Sequence, residues 1–170
     1  MKTARSEGGR AMIGGANGKR MMARLKRLLG VPCALQAAAL PWRTGKDGLQ
    51  ILLVTSRGTG RWVLPKGWPK KHEFPHQAAL REAEEEAGLT GRVAPREAGR
   101  YFYDKGLRDG SEKRCEVLVY PVEVERLAGE WAERAERQRK WMTPEQAAAS
   151  VAEPDLAALI KAFGRSRVMA

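Results

Sequence analysis

Gly67-Trp68-Pro69-Lys70-Lys71-His72-Glu73-Phe74-Pro75-His76-Gln77-Ala78-Ala79-Leu80-Arg81-Glu82-Ala83-Glu84-Glu85-Glu86-Ala87-Gly88-Leu89 is the stretch that decides the reading of the whole chain. It predicts a short helix that starts at Pro75, whose missing N–H costs nothing in a first turn, and stops at Gly88, which tolerates the left-handed conformation of a helix end. Ala79, Ala83 and Ala87, with Leu80, form an apolar stripe at helical spacing that can face a sheet. Glu82, Glu85 and Glu86 crowd the other side of the last turns, where local physics disfavours them. Side chains three and four apart are neighbours, so these like charges repel, and the helix C-terminus is already the negative end of the macrodipole. At about 6 Å and an effective dielectric of ~20, each pair costs on the order of 3 kcal/mol before screening. Such a conflict between local rules marks a functional site. A hard divalent cation with oxygen ligands, Mg²⁺ by default, is the simplest remedy.

The flanking residues turn this oddity into a pattern. Gly67, five residues, Glu73, seven residues, then Arg81-Glu82-Ala83-Glu84-Glu85-Glu86-Ala87-Gly88-Leu89 resembles the Nudix box, G-x5-E-x7-R-E-U-x-E-E-x-G-U with U apolar, at all nine defined positions. An isolated acidic run usually reads as a solvated helix face; the framing Gly, Glu, Arg and Gly positions reverse that reading here. The resemblance, which covers residues 31–164, implies an α/β fold, a Nudix-type α/β/α sandwich with a mixed sheet between helices. It implies Glu82, Glu85 and Glu86 as catalytic residues with Arg81, and a metal site of Gly67, through its carbonyl, with Glu82, Glu85 and Glu86. The cofactor implied is Mg²⁺, with Mn²⁺ as an alternative. Glu73 takes a supporting role. Arg81 stands four residues before Glu85 and can hold that carboxylate in position.

The segment Arg61-Trp62-Val63-Leu64-Pro65-Lys66-Gly67-Trp68-Pro69, with Thr55-Ser56-Arg57 before it and Arg139-Lys140-Trp141-Met142 after the sheet, resembles the diphosphoinositol polyphosphate phosphohydrolase-like branch. That branch cleaves phosphoanhydrides in highly charged small molecules, including diphosphoinositol polyphosphates and diadenosine polyphosphates. Lys66-Gly67-Trp68 stands where eukaryotic members carry a glycine run, and Val31-Pro32-Cys33 replaces their basic cluster before the first strand, which turns the expectation towards a dinucleoside polyphosphate. A phosphoanhydride repels hydroxide, so catalysis must neutralise charge and position water. Arg57, Arg61, Lys66 and Lys70 are the candidate substrate-binding residues, with Lys71 beside them. The general base is a box glutamate or an acid from a distant loop, here Glu112, Glu133 or Glu136. The expected activity is a Mg-dependent pyrophosphohydrolase; the alternative from another class is a non-catalytic Nudix-fold protein binding a nucleotide or RNA.

Two other motifs fail on physical grounds. His72-Glu73-Phe74-Pro75-His76 spells the zincin pattern H-E-x-x-H, which needs both histidines on one helical turn; Pro75 cannot sit inside that turn. Gly14 to Arg20 lacks the glycine and the Ser or Thr that a P-loop requires.

The rest of the chain of 170 residues suits one domain of ordinary size. Strands are expected at Cys33 to Trp42, Leu49 to Thr55, Trp62 to Leu64, around Arg92 to Val93, Arg100 to Asp104, Cys115 to Val124, and Arg139 to Met142, with turns at Lys46-Asp47-Gly48 and Arg108-Asp109-Gly110. Thr143-Pro144-Glu145-Gln146 has the form of a capping box opening a helix, and Pro154 to Phe163 reads as a last helix ended by Gly164, with 165–170 as a tail. Cys33 and Cys115 read as buried free thiols. Of the net charge of +11, residues 1–29 supply eight Lys or Arg against Glu7, 8 − 1 = +7. Residues 1–30 therefore form a basic arm whose glycine-rich first half is expected to be flexible, with Met21 to Leu29 as a short amphipathic helix. A solvated tail is favoured over nucleic-acid or membrane-surface contact, and the arm folding back onto a polyanionic substrate is a third reading. No apolar stretch approaches a membrane span, no secretory signal is evident, and a cytoplasmic location is expected, with a mitochondrial transit peptide in the Arg-rich, acid-poor leader as the alternative.

Overall fold

Burial on both faces explains why the apolar run after Cys33 is one long strand. In the computed structural model, which describes residues 33–46, 48–107 and 110–168, β1 (Ala34–Gly45) runs through the middle of an eight-stranded sheet. It lies parallel to β7 (Glu112–Leu127), with Ala34 beside Cys115 and Trp42 beside Glu123, and antiparallel to β2 (Gly48–Thr55). The other strands extend from these three. β3 (Trp62–Val63) and β8 (Arg139–Met142) pair with β2, β4 (Lys66–Gly67) with β1, and β5 (Leu89–Val93) and β6 (Gly99–Gly106) with β7.

Strand periodicity sends alternate residues of β1 and β2 into two separate cores. Ala37, Ala39, Leu52 and Val54 face α1 (Pro75–Ala87), which buries Ala78, Ala79, Ala83 and Ala87 against them. Leu40, Trp42, Ile51 and Leu53 face α2 (Pro144–Ser150) and α3 (Pro154–Val168), which contribute Ala147, Ala148, Leu156, Ile160 and Phe163. The small alanines on the α1 side let that helix lie close to the sheet. The result is the expected α/β/α sandwich around a mixed sheet.

Local signals explain the helix ends. Pro75 opens α1, and the Gln77 side chain accepts the Phe74 N–H at 3.1 Å. Gly88 closes it at φ +61° and donates its N–H to the Glu84 carbonyl at 2.9 Å. Thr143 Oγ1 accepts the Gln146 N–H at 3.2 Å while Gln146 Oε1 accepts the Thr143 N–H at 3.1 Å, the reciprocal pair expected for α2. His72 sits before α1 at φ +66°, so the H-E-x-x-H spelling is not a helical turn.

The structure corrects several boundaries. The first strand continues past Trp42 to Gly45, and the Cys115–Val124 expectation grows at both ends into β7. Lys66–Gly67, read as irregular loop because of Pro65 and Pro69, is a two-residue strand opposite Ala38 and Ala37. Gly164 does not end the last helix, which runs on through Arg165 and Arg167, so 165–168 is not tail. That glycine is needed for close approach instead: a Cβ there would lie 2.7 Å from Pro144 Cβ on α2. Cys33 and Cys115 are both free; Cys115 is buried and Cys33 half-buried. Among the described residues no helix is long and apolar enough to cross a membrane. The basic arm, the expected helix at Met21 to Leu29, and Asp47, Arg108 and Asp109 of the two turns lie outside the described residues.

Candidate active site

The end of α1, the β3–β4 segment, the β2–β3 turn, the β6–β7 hairpin and the segment before β8 enclose a cleft of about 470 Å³. Glu82, Glu85 and Glu86 all line it, with Gly67 beside them. The helix brings the three acids to one wall because residues 82, 85 and 86 share a face while the alanines take the other.

Arg81 organises that wall. Its Nε and Nη2 donate to the two oxygens of Glu73 at 2.9 and 3.0 Å, Nη2 also donates to the Trp68 carbonyl at 3.1 Å, and Nη1 donates to Glu82 Oε1 at 2.7 Å and Glu85 Oε1 at 3.3 Å. These contacts engage all five guanidinium N–H groups. Arg81 was expected among the catalytic residues; the geometry makes it a positioning residue, because its donors are spent on the protein. The bidentate Arg81 contact holds the Glu73 carboxyl down at about 2, and its backbone partner, the Lys70 N–H, acts in the same direction. Glu73 therefore supports the loop from behind, as the resemblance implied.

Glu86 is in a different position. It is the buried acid of the three, 7% exposed. Burial pushes its carboxyl up to about 7, against the opposing pull of Arg137 and Lys66. One oxygen accepts the Lys66 backbone N–H at 3.1 Å, and the other is bound by Arg137 Nη2. Arg137 also binds Glu133 through Nε and the Thr55 carbonyl through Nη1 at 2.8 Å. The three acids thus share a wall without drawing together: each carboxylate turns to its nearest cation, Arg81 for Glu82 and Glu85 and Arg137 for Glu86. Among the described residues no group of three or more His, Cys, Asp or Glu side chains is gathered around one point.

The donor set nonetheless fits a hard cation. The described residues lining the cleft include carboxylates and backbone carbonyls but neither His nor Cys, which matches the oxygen preference of Mg²⁺ or Mn²⁺. Gly67 supplies a cradle that any side chain would fill, since a Cβ there would stand 2.1 Å from Glu82 Oε1. Only glycine lets the Glu82 carboxylate lie against the loop backbone.

Three of the four candidate substrate-binding residues reach the cleft. Arg57 and Arg61 line one end; Arg57 stands 3.4 Å from both Glu133 and Glu136, and Arg61 Nε donates to Thr59 at 3.1 Å. Lys66 lies deeper, its ammonium 5.5 Å from the Tyr103 ring centroid, and burial lowers its pKa. Lys70 is not part of the lining; it is exposed on the rim, 3.9 Å from Glu85. Of the distant acids, Glu133 lines the cleft, whereas Glu112, at the start of β7, and Glu136 are not among its lining residues.

Sequence reasoning missed Arg137, Trp68, Tyr103, Lys105, Gln36 and Glu153, all of which line the cleft. Arg137 left one usable trace, a Glu133-to-Arg137 spacing of four in an otherwise irregular segment. Trp68 stands inside the quoted stretch but was not read as a site residue; the others come from strands and loops far apart in the chain and carry no local pattern.

The NUDIX domain profile matches residues 34–163. Nudix hydrolase 16, mitochondrial, of Arabidopsis thaliana is 32% identical over 142 residues, 76% of this chain and 79% of that protein. Diphosphoinositol polyphosphate phosphohydrolase 2 of Mus musculus is 29% identical over 114 residues; the match covers 66% of this chain and spans about 59% of the mouse protein's length. The crystal structure of C. elegans Ap4A hydrolase superposes with a TM-score of 0.58 at 21% identity, covering 82% of this chain and 100% of that one, a likeness of fold. The chain belongs to the Nudix hydrolase family.

Proposed function

We propose that this chain is a Mg²⁺-dependent, or Mn²⁺-dependent, pyrophosphohydrolase that cleaves a phosphoanhydride bond in a highly charged small molecule of the dinucleoside polyphosphate or diphosphoinositol polyphosphate type. The observation that carries the reading is the sharing of one cleft by Glu82, Glu85, Glu86 and Gly67 with the cations Arg57, Arg61, Lys66, Lys105 and Arg137. An acidic wall facing a basic one suits a polyanion whose reacting phosphate needs a cation and whose remaining phosphates need neutralising.

Glu82, Glu85, Glu86 and the Gly67 carbonyl would hold a divalent ion, which when bound would neutralise charge at the reacting phosphate and lower the pKa of water there. The chain's own groups do the rest. Arg81 fixes Glu82 and Glu85 while Glu73 fixes Arg81, so the wall is preorganised before substrate arrives. Arg57 and Arg61 hold phosphates at one end of the cleft and Lys66 and Lys105 at the other. Water adds to one phosphorus, the bridging P–O bond breaks with its electron pair on the departing phosphate, and the water's proton passes to a carboxylate of the cleft. Glu133 is the distant-loop acid placed to take it, being 20% exposed at the cleft wall.

The test is release of phosphate or nucleotide from a panel of dinucleoside polyphosphates, nucleoside polyphosphates and diphosphoinositol polyphosphates with Mg²⁺, by the native chain and by Glu86→Gln. The expected result is turnover of at least one compound and its near-complete loss in the variant with the fold intact. No turnover of any phosphoanhydride, or undiminished turnover in the variant, overturns the reading.

A further inference from the structure

A helix ends in four carbonyls that find no partner within it. At the end of α1, Gly88 donates its N–H to the first of these, Glu84, at 2.9 Å. The other three take their donors from a single stretch, residues 128–139, which leaves β7 and enters β8. The Glu85 carbonyl accepts the Glu133 N–H at 3.3 Å, the Glu86 carbonyl accepts Trp131 Nε1 at 3.2 Å, and the Ala87 carbonyl accepts Arg139 Nη1 at 2.5 Å. Arg139 Nη2 reaches on to the Ala128 carbonyl at 2.7 Å, and the Ala128 N–H returns to the Gly88 carbonyl at 2.8 Å.

Trp131 and Arg139 are the side chains that close this junction. Trp131 sits directly on the helix end, since a Cβ on Gly88 would lie 2.6 Å from Trp131 Cβ. The Arg139 guanidinium lies 4.0 Å from the Trp131 ring centroid, and β8 holds Arg139 in register with Val54 of β2. An indole has one donor and spends it on one carbonyl, whereas the guanidinium fork spans two. A cation here also offsets the negative helix end that the three carboxylates would otherwise meet. Neither residue lines the cleft, yet together they bracket the two that do. Glu133 follows Trp131 by two positions, and Arg137, which binds both Glu86 and Glu133, precedes Arg139 by two.

We propose that Trp131 and Arg139 are positioning residues for hydrolysis: by capping the last carbonyls of α1 they fix Glu133 opposite the acidic wall formed by Glu82, Glu85 and Glu86. This rests on the phosphoanhydride hydrolase reading above and on Glu133 as its proton acceptor.

The experiment is a kinetic cycle on the full chain with Trp131→Phe, Glu133→Gln and the double variant. Phenylalanine keeps a ring on Gly88 and under Arg139 but lacks the N–H. In the native background Trp131→Phe is expected to lower kcat about tenfold with KM within about twofold of native. In the Glu133→Gln background the same replacement is expected to cost less than about twofold, because the residue it acts through is already gone. Equal fractional losses in the two backgrounds, a native kcat in Trp131→Phe, or a native kcat in Glu133→Gln overturns the proposal. Amide hydrogen exchange gives a readout apart from turnover: the Glu133 N–H is expected to exchange about tenfold faster in Trp131→Phe, and an unchanged rate overturns the proposal as well. Should Trp131→Phe fail to fold, Arg139→Lys, which keeps the charge but cannot span both carbonyls, takes its place in the same cycle. Additive losses in a chain that turns over phosphoanhydrides overturn this inference alone, whereas absence of all turnover overturns the function it rests on and the inference with it.

Discussion

Arg137 and Glu86 form a buried ion pair that joins the segment before β8 to the acidic end of α1; their side chains are 6% and 9% exposed. Removing one partner from such a pair leaves the other charge buried alone, which costs far more than the pair itself contributes. Arg137→Met is expected to lose about 3 kcal/mol at pH 8. The double variant Arg137→Met, Glu86→Gln is expected to recover most of that loss, because no charge is then stranded. Urea unfolding of the native chain, both single variants and the double variant closes this cycle; simple addition of the two single effects would contradict it.

Glu86→Gln isolates chemistry from folding. Glutamine keeps the shape and can still accept the Lys66 N–H, and Arg137 is not stranded because it keeps the Glu133 carboxylate and the Thr55 carbonyl, so the unfolding free energy is expected to change by about 1 kcal/mol or less. Turnover is expected to fall by roughly 10²-fold or more. Steady-state kinetics and thermal unfolding on the same preparation check both halves.

Gly67→Ala tests the cradle. The new Cβ would meet the Glu82 carboxylate at 2.1 Å, and the far end of a flexible side chain moves more cheaply than backbone does. The stability cost is therefore expected to stay near the low end of overpacking, about 1 kcal/mol, while the displaced carboxylate weakens the metal site. The Mg²⁺ concentration giving half-maximal rate is expected to rise about tenfold or more, read from a metal titration at saturating substrate.

How much of this was legible follows from which contacts are local. Arg81, Glu82, Glu85 and Gly88 lie at the end of one helix, where fixed spacing fixes geometry, and the face they form could be read directly. Thr143 and Gln146 were readable for the same reason. Arg137 was not: it reaches Glu86 across 51 positions, and no helical or strand period links the two. Trp68 and Lys105 meet only because β6 and β7 form a long hairpin. The Arg81–Glu85 contact was readable from the i,i+4 spacing, whereas that rule cannot see Glu73 folding back from the loop onto the same guanidinium. Gly164 was misread for a related reason. Helix propensity makes glycine a stop signal, and only the position of Pro144 reveals it as a point of close contact.

Acid sensitivity should trace to Glu73. Its folded-state carboxyl titrates at about 2 against an ordinary 4.5. Between those values the unfolded chain binds the proton more readily, so this contribution is fully present above about pH 4.5 and is lost as pH falls towards 2. Solvent screening reduces it to the order of 1 kcal/mol. The stability difference between the native chain and Glu73→Gln, measured by urea unfolding, is expected to be larger at pH 6 than at pH 3. A difference independent of pH would show that the Arg81 contact does not set it.

Gly164→Ala sets two effects of opposite sign against each other. Alanine is the better helix former by about 1 kcal/mol, and Gly164 lies inside α3 at a position where propensity alone predicts stabilisation. Its Cβ, however, would fall 2.7 Å from Pro144 Cβ and 2.9 Å from Pro144 Cγ. A proline ring at the first turn of α2 cannot swing aside as a long side chain can, so the two helices must part. Overpacking of this kind costs typically 1–3 kcal/mol, and the loosened contact also borders Phe163, which packs edge-on against Trp42 with ring centroids 6.2 Å apart. The helix–helix clash is expected to win, with a net loss of about 1–2 kcal/mol in urea unfolding. A more stable variant would show that α2 and α3 adjust freely, and that the glycine has no packing role.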